Sequence, residues 1–275
     1  MRVTSQRIFC ACIIAIFTTV GSACADIFDY SRYQAFLDRY VIPDKLVDGI
    51  RLAVVDYKSI NRDRRQADSL YDGLLAQLRR FDPAVIEDRD EAVAFWINAY
   101  NIGAIKMIID HYPVESIRSL KINWLKNPWH KEILTIGGDK YSLGQIEHDI
   151  LIDRYGDPMI HFSIVCASLS CPDLSRQVYR GAVLGTQMAQ QARRFVNNDT
   201  KGLRIDREEG TVYFSKIFKF DEQSFPRGAA DALPLIIPFV ETSEAEQYLR
   251  SGRYRIEYLD YDWDLNTSAN AGHGG

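Results

Sequence analysis

The sequence predicts an α+β fold: N-terminal helices packed on a small, mainly antiparallel sheet. Two observations carry this. Apolar residues recur at three- and four-residue spacing through the first part of the chain, and short apolar or alternating segments bounded by turn residues follow in the second part. That order argues against a regular doubly wound sheet. No internal repeat and no linker divides residues 26–266, so they are expected to form a single globular domain, with a disordered tail over 267–275.

Residues 1–25 are read apart from the domain. Arg2 and Arg7 precede an uncharged, mostly apolar stretch from Ile8 to Val20, and Ala23-Cys24-Ala25 has the small residues of an export cleavage site. Cleavage after Ala25 would leave Asp26 first. A competing reading makes Cys24 a lipidated residue, although Gly21 stands where such signals usually carry Leu. The expected address is therefore periplasmic or secreted. No later stretch is expected to span a membrane.

Tyr33, Phe36, Leu37 and Tyr40 give residues 26–60 a helical reading, and Leu70, Leu74, Leu75 and Leu78 extend it over 64–81. Asp82-Pro83 breaks the pattern. Glu91 to His111 is the clearest helix, apolar nearly all round and ended by Tyr112-Pro113, because the residue before proline is pushed out of helical space. A loop rich in Trp and Asn covers 123–130. Ile133–Ile136 is a predicted strand, turned by Gly137-Gly138-Asp139. Ser142 and Gln145 have capping-box spacing and open a helix to about Asp153. Ile160 to Val165 is a predicted strand and Gly185 to Asn198 a helix. Leu203–Asp206 and Thr211–Ser215 form a predicted hairpin, and Tyr254–Tyr258 a terminal strand.

Composition excludes some partners. With 47% hydrophobic, 25% charged and 12% aromatic residues the chain is an ordinary core-former. The net charge is −4 and becomes −6 without residues 1–25, which hold two basic and no acidic residues. No basic footprint for nucleic acid is present. There is no phosphate-binding glycine loop and no metal-ligand spacing, so no cofactor or metal is expected. The expected partner is a small-molecule or peptide ligand, or a periplasmic protein.

Three segments could carry chemistry. In Phe95–Asn101, Asn98 and Asn101 share one helix face; buried amides must be hydrogen-bonded, so they either tie loops to the core or bind substrate. In His161–Pro172, strand alternation would put His161, Ser163 and Val165 on one side, with Cys166 at the strand end before a loop of small residues that includes Ser168 as a further substrate-binding candidate. A Cys166 thiolate could attack a carbonyl with His161 or His148 as base and Asp262 or Asn98 as orienting group. Cys166 and Cys171 could instead form a structural disulfide, which would remove Cys166 as nucleophile. A reversible redox pair is the third reading, weakened by a spacing that is not C-x-x-C. In Tyr258–Asn266, three acids interleave with large apolar residues, which suits a docking segment or places Asp262 beside a buried His.

The segments Ala94–Asn101, Ser142–Leu151 with Glu147-His148, His161–Pro172 and Tyr261–Asn266 together resemble the bacterial family catalogued as domain of unknown function 547. The likeness runs from about residue 90 to 266. Phe218-Lys219-Phe220 departs from it where an aromatic pattern containing Trp would be expected. The resemblance implies that Asn98, Asn101, His148, His161, Cys166 and Cys171 cluster in space, and assigns no activity. A helix followed by strands bearing His and Cys is also similar to papain- and transglutaminase-like thiol enzymes, except that both histidines here precede the cysteine. Two functions are thus expected: an exported thiol-dependent hydrolase or acyl transferase with a Cys/His site, or a non-catalytic binding module stapled by Cys166 and Cys171.

Overall fold

The computed structural model describes residues 28–123 and 127–268. The expected export segment with Cys24, and residues 269–275 of the expected tail, lie outside them. Thr267 is buried and its N–H donates to the Leu265 carbonyl, so the ordered chain runs past Asn266.

The first helix, α1 (Ser31–Tyr40), buries the face carrying Tyr33, Phe36, Leu37 and Tyr40. The helical reading of 26–60 stops there. Val41–Val47 (β1) and Ile50–Val55 (β2) form an antiparallel hairpin instead. Asp48 and Gly49 turn it with φ of 48° and 80°, the paired positive values that a two-residue hairpin loop requires. Two short helices follow, α2 (Tyr57–Asp63) and α3 (Leu70–Arg80), capped by the Asp56 and Ser69 side chains.

The central helix α4 (Arg89–His111) starts at an Asp88 cap and is buried from Ala92 to Ile105 without a break. By length and composition it could cross a membrane, contrary to the sequence expectation; 94% of its apolar window is buried inside the protein, as in a core helix. Gly103 allows a close approach: a Cβ there would sit 2.9 Å from Leu143 Cδ2 and 3.0 Å from Leu134 Cδ1. The hairpin that presses on it joins β3 (Glu132–Ile136) and β4 (Asp139–Ser142) through Gly137-Gly138.

Ser142 and Gln145 form the reciprocal pair expected of them. The Gln145 N–H donates to Ser142 Oγ at 3.1 Å, and the Ser142 N–H donates to Gln145 Oε1 at 2.9 Å. The helix they open is π-wound over Gln145–Arg154, a rare, wide form that frequently occurs at functional sites.

Residues 160–165 are not a strand. Asp157 caps a tight 3₁₀ turn over Pro158–Phe162, with Pro158 in the first position where its missing N–H costs nothing. Strand alternation therefore does not apply. The second half then adds α5 (Leu184–Val196), the hairpin β5 (Leu203–Asp206) and β6 (Thr211–Phe214), the short helices α6 (Ile217–Phe220), α7 (Ala229–Ile236) and α8 (Ser243–Ser251), and β7 (Arg255–Tyr258). β7 pairs parallel to β6, whereas every other strand pair is antiparallel. The class is α+β, with three small sheets among the described residues rather than one. Two clusters dominate the interior, one around α4 and one around β5–β6 and α7. α5 serves both, with Leu184 and Met188 in the first and Ala192, Phe195 and Val196 in the second.

Candidate functional site

Cys166 follows the 3₁₀ turn in an extended segment held from two sides. From below, the Asn101 amide donates to the Ser163 carbonyl at 3.0 Å and its oxygen accepts the Val165 N–H at 2.9 Å. From the side, the C-terminal segment runs antiparallel to the cysteine loop: Leu169 N–H donates to the Asp264 carbonyl, Ser170 N–H to that of Asp262, and Asn266 N–H to that of Ala167. The docking reading of Tyr258–Asn266 describes this contact. It brings the Tyr261 hydroxyl to 3.2 Å from Cys166 Sγ.

The two cysteines are free thiols, not a disulfide. Their sulfurs are 2.8 Å apart, in contact yet well beyond the ~2.05 Å of a bonded pair. Cys166 Sγ also lies 3.2 Å from Ser168 Oγ, and the Ser168 and Tyr261 oxygens are 2.9 Å apart; when both hydroxyls turn their protons to the sulfur, neither donates to the other. Burial alone would raise the Cys166 thiol. Hydrogen bonds from the Cys171 thiol, the Ser168 and Tyr261 hydroxyls and the Ser168 N–H overcome it and hold Cys166 down to about 7. Burial and the neighbouring Cys166 push the Cys171 thiol well up. One sulfur is thus stabilised as an anion and its neighbour as a donor.

Cys166 and Cys171 face a cavity of about 680 Å³ whose wall also carries His148, His161, Glu147 and Tyr100. The concavity that joins imidazoles and sulfurs is therefore present. His161 leaves the 3₁₀ turn into this space, packs against the Phe225 ring at 5.0 Å and sets Nε2 3.0 Å from Asp221 Oδ2, off the line of a straight hydrogen bond. Asp221 stands just after α6. Burial would raise its carboxyl, but His161, with Ser224, holds it far below the usual carboxylate range. The π-helix supplies Glu147, whose Oε2 accepts the Tyr100 hydroxyl at 3.1 Å, while Trp129 Nε1 donates to the same hydroxyl at 3.2 Å. Burial pushes the Glu147 carboxyl up to about 7, against the opposing charge of His161 and the Tyr100 bond. His148 Nδ1 is buried and has no hydrogen-bond partner.

Other expected site residues are placed elsewhere. Asn98 spends both ends of its amide on the Tyr179 backbone, at 2.8 and 3.0 Å, so it ties a loop to α4, and like Asn101 it does not line the cavity. Ser168 supports Cys166 from beneath the cavity wall rather than lining it. Asp262 faces a separate depression and accepts the Asp264 N–H; the carboxylate beside His161 is Asp221. Asp221, Tyr261 and Tyr100 were not assigned roles from the sequence, nor was Glu147. Glu147 had one available signal, its place in the first turn of a capped helix beside His148. Asp221 had none.

Residues 86–196 match the family model described as a protein of unknown function, DUF547. The match supports a domain of unknown function 547 over this stretch. The matched stretch holds Tyr100, Glu147, His148, His161, Cys166 and Cys171, while Asp221 and Tyr261 reach the cavity from beyond it. No curated protein and no solved structure matches the chain significantly.

Proposed function

We propose that the protein is a thiol-dependent hydrolase or acyl transferase acting on a peptide, amide or ester. The observation that carries this reading is the cradle around Cys166: the Cys171 thiol and the Ser168 and Tyr261 hydroxyls gathered within hydrogen-bond distance of one sulfur at a cavity wall. A thiol held below its ordinary value keeps more of its thiolate form at neutral pH, so Cys166 is the readier nucleophile of the two. Cys166 Sγ forms the thioester bond as the leaving group departs. The leaving group takes its proton from Glu147, whose carboxyl near 7 keeps that proton available at neutral pH, or from an imidazolium at His161 oriented by Asp221, and the donor recovers that proton from the incoming water or acceptor. Water or an acceptor nucleophile then releases the acyl group. The export pattern in residues 1–25 supports an extracytoplasmic compartment for this activity.

The test is reaction with p-nitrophenyl acetate at pH 7.5. The expected result is a burst of nitrophenolate and an acetyl group on Cys166, read in the tryptic peptide Tyr155–Arg176. Cys166→Ser should abolish the burst and Cys171→Ser should retain it. A folded protein that gives no burst and no acetyl-Cys166 would leave the cavity as a binding site only.

A further inference from the structure

We propose that Cys166 and Cys171 also act as a thiol–disulfide exchange pair that reduces small aromatic or carboxylated disulfides. The spacing in sequence argued against such a pair, and the folded loop reverses that argument. Ala167 adopts φ of 61°, the left-handed turn conformation that is rare outside glycine. The Cys171 N–H closes the turn on the Ser168 carbonyl, and the Cys166 N–H donates to Cys171 Sγ at 3.0 Å. The C-terminal segment then clamps the loop along Ser168–Ser170. Lys201 adds a second clamp: its buried ammonium donates to the Cys171 carbonyl at 2.8 Å and to Asp173 Oδ1 at 2.6 Å. Two sulfurs already 2.8 Å apart need to close by less than about 1 Å to bond.

The roles are unequal. Cys166 is the sulfur stabilised as a thiolate, so it attacks, and Cys171 keeps its proton until a mixed disulfide forms beside it. Cys166 Sγ displaces one thiol from the substrate. Cys171 Sγ then attacks Cys166 Sγ and displaces the other. Starting from two protein thiols, the two protons end on the two released thiols, and the protein ends with one disulfide. The substrate is the oxidant. The cavity wall suggests its chemistry: Trp129, Phe220, Tyr261 and Trp263 form a run of contacting rings, and the Arg118 guanidinium lies 4.7 Å above Trp263. An aromatic disulfide bearing carboxylates suits both features.

The probe is 5,5′-dithiobis(2-nitrobenzoate) added to the reduced full chain. Both cysteines fall in the tryptic peptide Tyr155–Arg176, so they are read apart from Cys10, Cys12 and Cys24. The expected result is rapid loss of two hydrogens from that peptide with no lasting aryl adduct, at least ~10-fold faster than in urea-unfolded protein. Cys171→Ser should trap the aryl group on Cys166, and Cys171→Ala serves if the serine variant does not fold. A persistent adduct on wild-type Cys166 with Cys171 still open to alkylation would overturn the proposal. So would equal closure rates in folded and unfolded protein. Acetyl transfer to Cys166 is measured separately on the reduced protein, so neither outcome decides it.

Discussion

Replacing Tyr261 by Phe removes a hydroxyl 3.2 Å from Cys166 Sγ and leaves the ring that packs on Phe220 and Trp263. A hydrogen bond to a charged group contributes about 1.5–3 kcal/mol. Tyr261 is only partly buried, so water can enter the vacated position and the low end of that range applies. About 1.5 kcal/mol corresponds to roughly one unit of pKa. The Cys166 thiol should therefore rise from about 7 to roughly 8. At pH 7 its ionised fraction would fall several-fold. The assay is the pH dependence of iodoacetamide alkylation at Cys166, read in the peptide Tyr155–Arg176. The midpoint should move upward by about one unit while the rate at high pH stays unchanged. An unmoved midpoint would mean that Tyr261 does not stabilise the thiolate, and the cradle would lose one of its three side chains.

Glu147 offers a stability test. Its carboxyl is raised from an ordinary 4.5 to about 7, so the fold favours the protonated form. That contribution is complete below pH ~4.5 and is lost as the pH rises through ~7. Relative to wild type, Glu147→Gln should gain up to ~3 kcal/mol between pH 5 and pH 8 by urea unfolding, and a constant difference contradicts the burial argument. Asn101→Leu strands the Ser163 carbonyl and the Val165 N–H, at roughly 1–3 kcal/mol each, so its melting temperature should fall clearly; Asn98→Leu should do the same at Tyr179. Lys201→Met leaves the Asp173 carboxylate buried and uncompensated, with an expected loss of about 3–5 kcal/mol in denaturant unfolding; a loss under ~1 kcal/mol would show that the pair does not hold the cysteine loop.

Much of the fold was legible where local physics is decisive. α4 announces itself as a long apolar stretch with an acidic cap, and the Ser142–Gln145 box and the Gly137-Gly138 turn are local chemistry that tertiary contacts only confirm. Asp48-Gly49 carried an equally local hairpin signal, overridden in reading by the helical spacing that ends at Tyr40. Residues 160–165 fold as a turn because Ile160, Phe162, Ile164 and Val165 suit a strand or a buried turn equally well, and Asp157-Pro158 decides for the turn. The site was half legible. Cys166, Cys171, His148 and His161 carry reactive groups that draw attention in any sequence. Tyr261 acts from 95 residues away, through a docking segment whose register only the folded chain sets. Asp221 follows a four-residue helix with no pattern to mark it. The contact between the sulfurs depends on backbone turns and on clamps from residues 201 and 262–266, none of which is visible in the spacing of the cysteines.

The central claim is that the fold activates Cys166 and leaves Cys171 protonated beside it. Competitive alkylation of the reduced, folded protein with iodoacetamide at pH 7 tests it most directly, with tandem mass spectrometry of Tyr155–Arg176 separating the two positions. Cys166 should be modified at least ~10-fold faster than Cys171. Equal rates, or preferential modification of Cys171, would contradict the account.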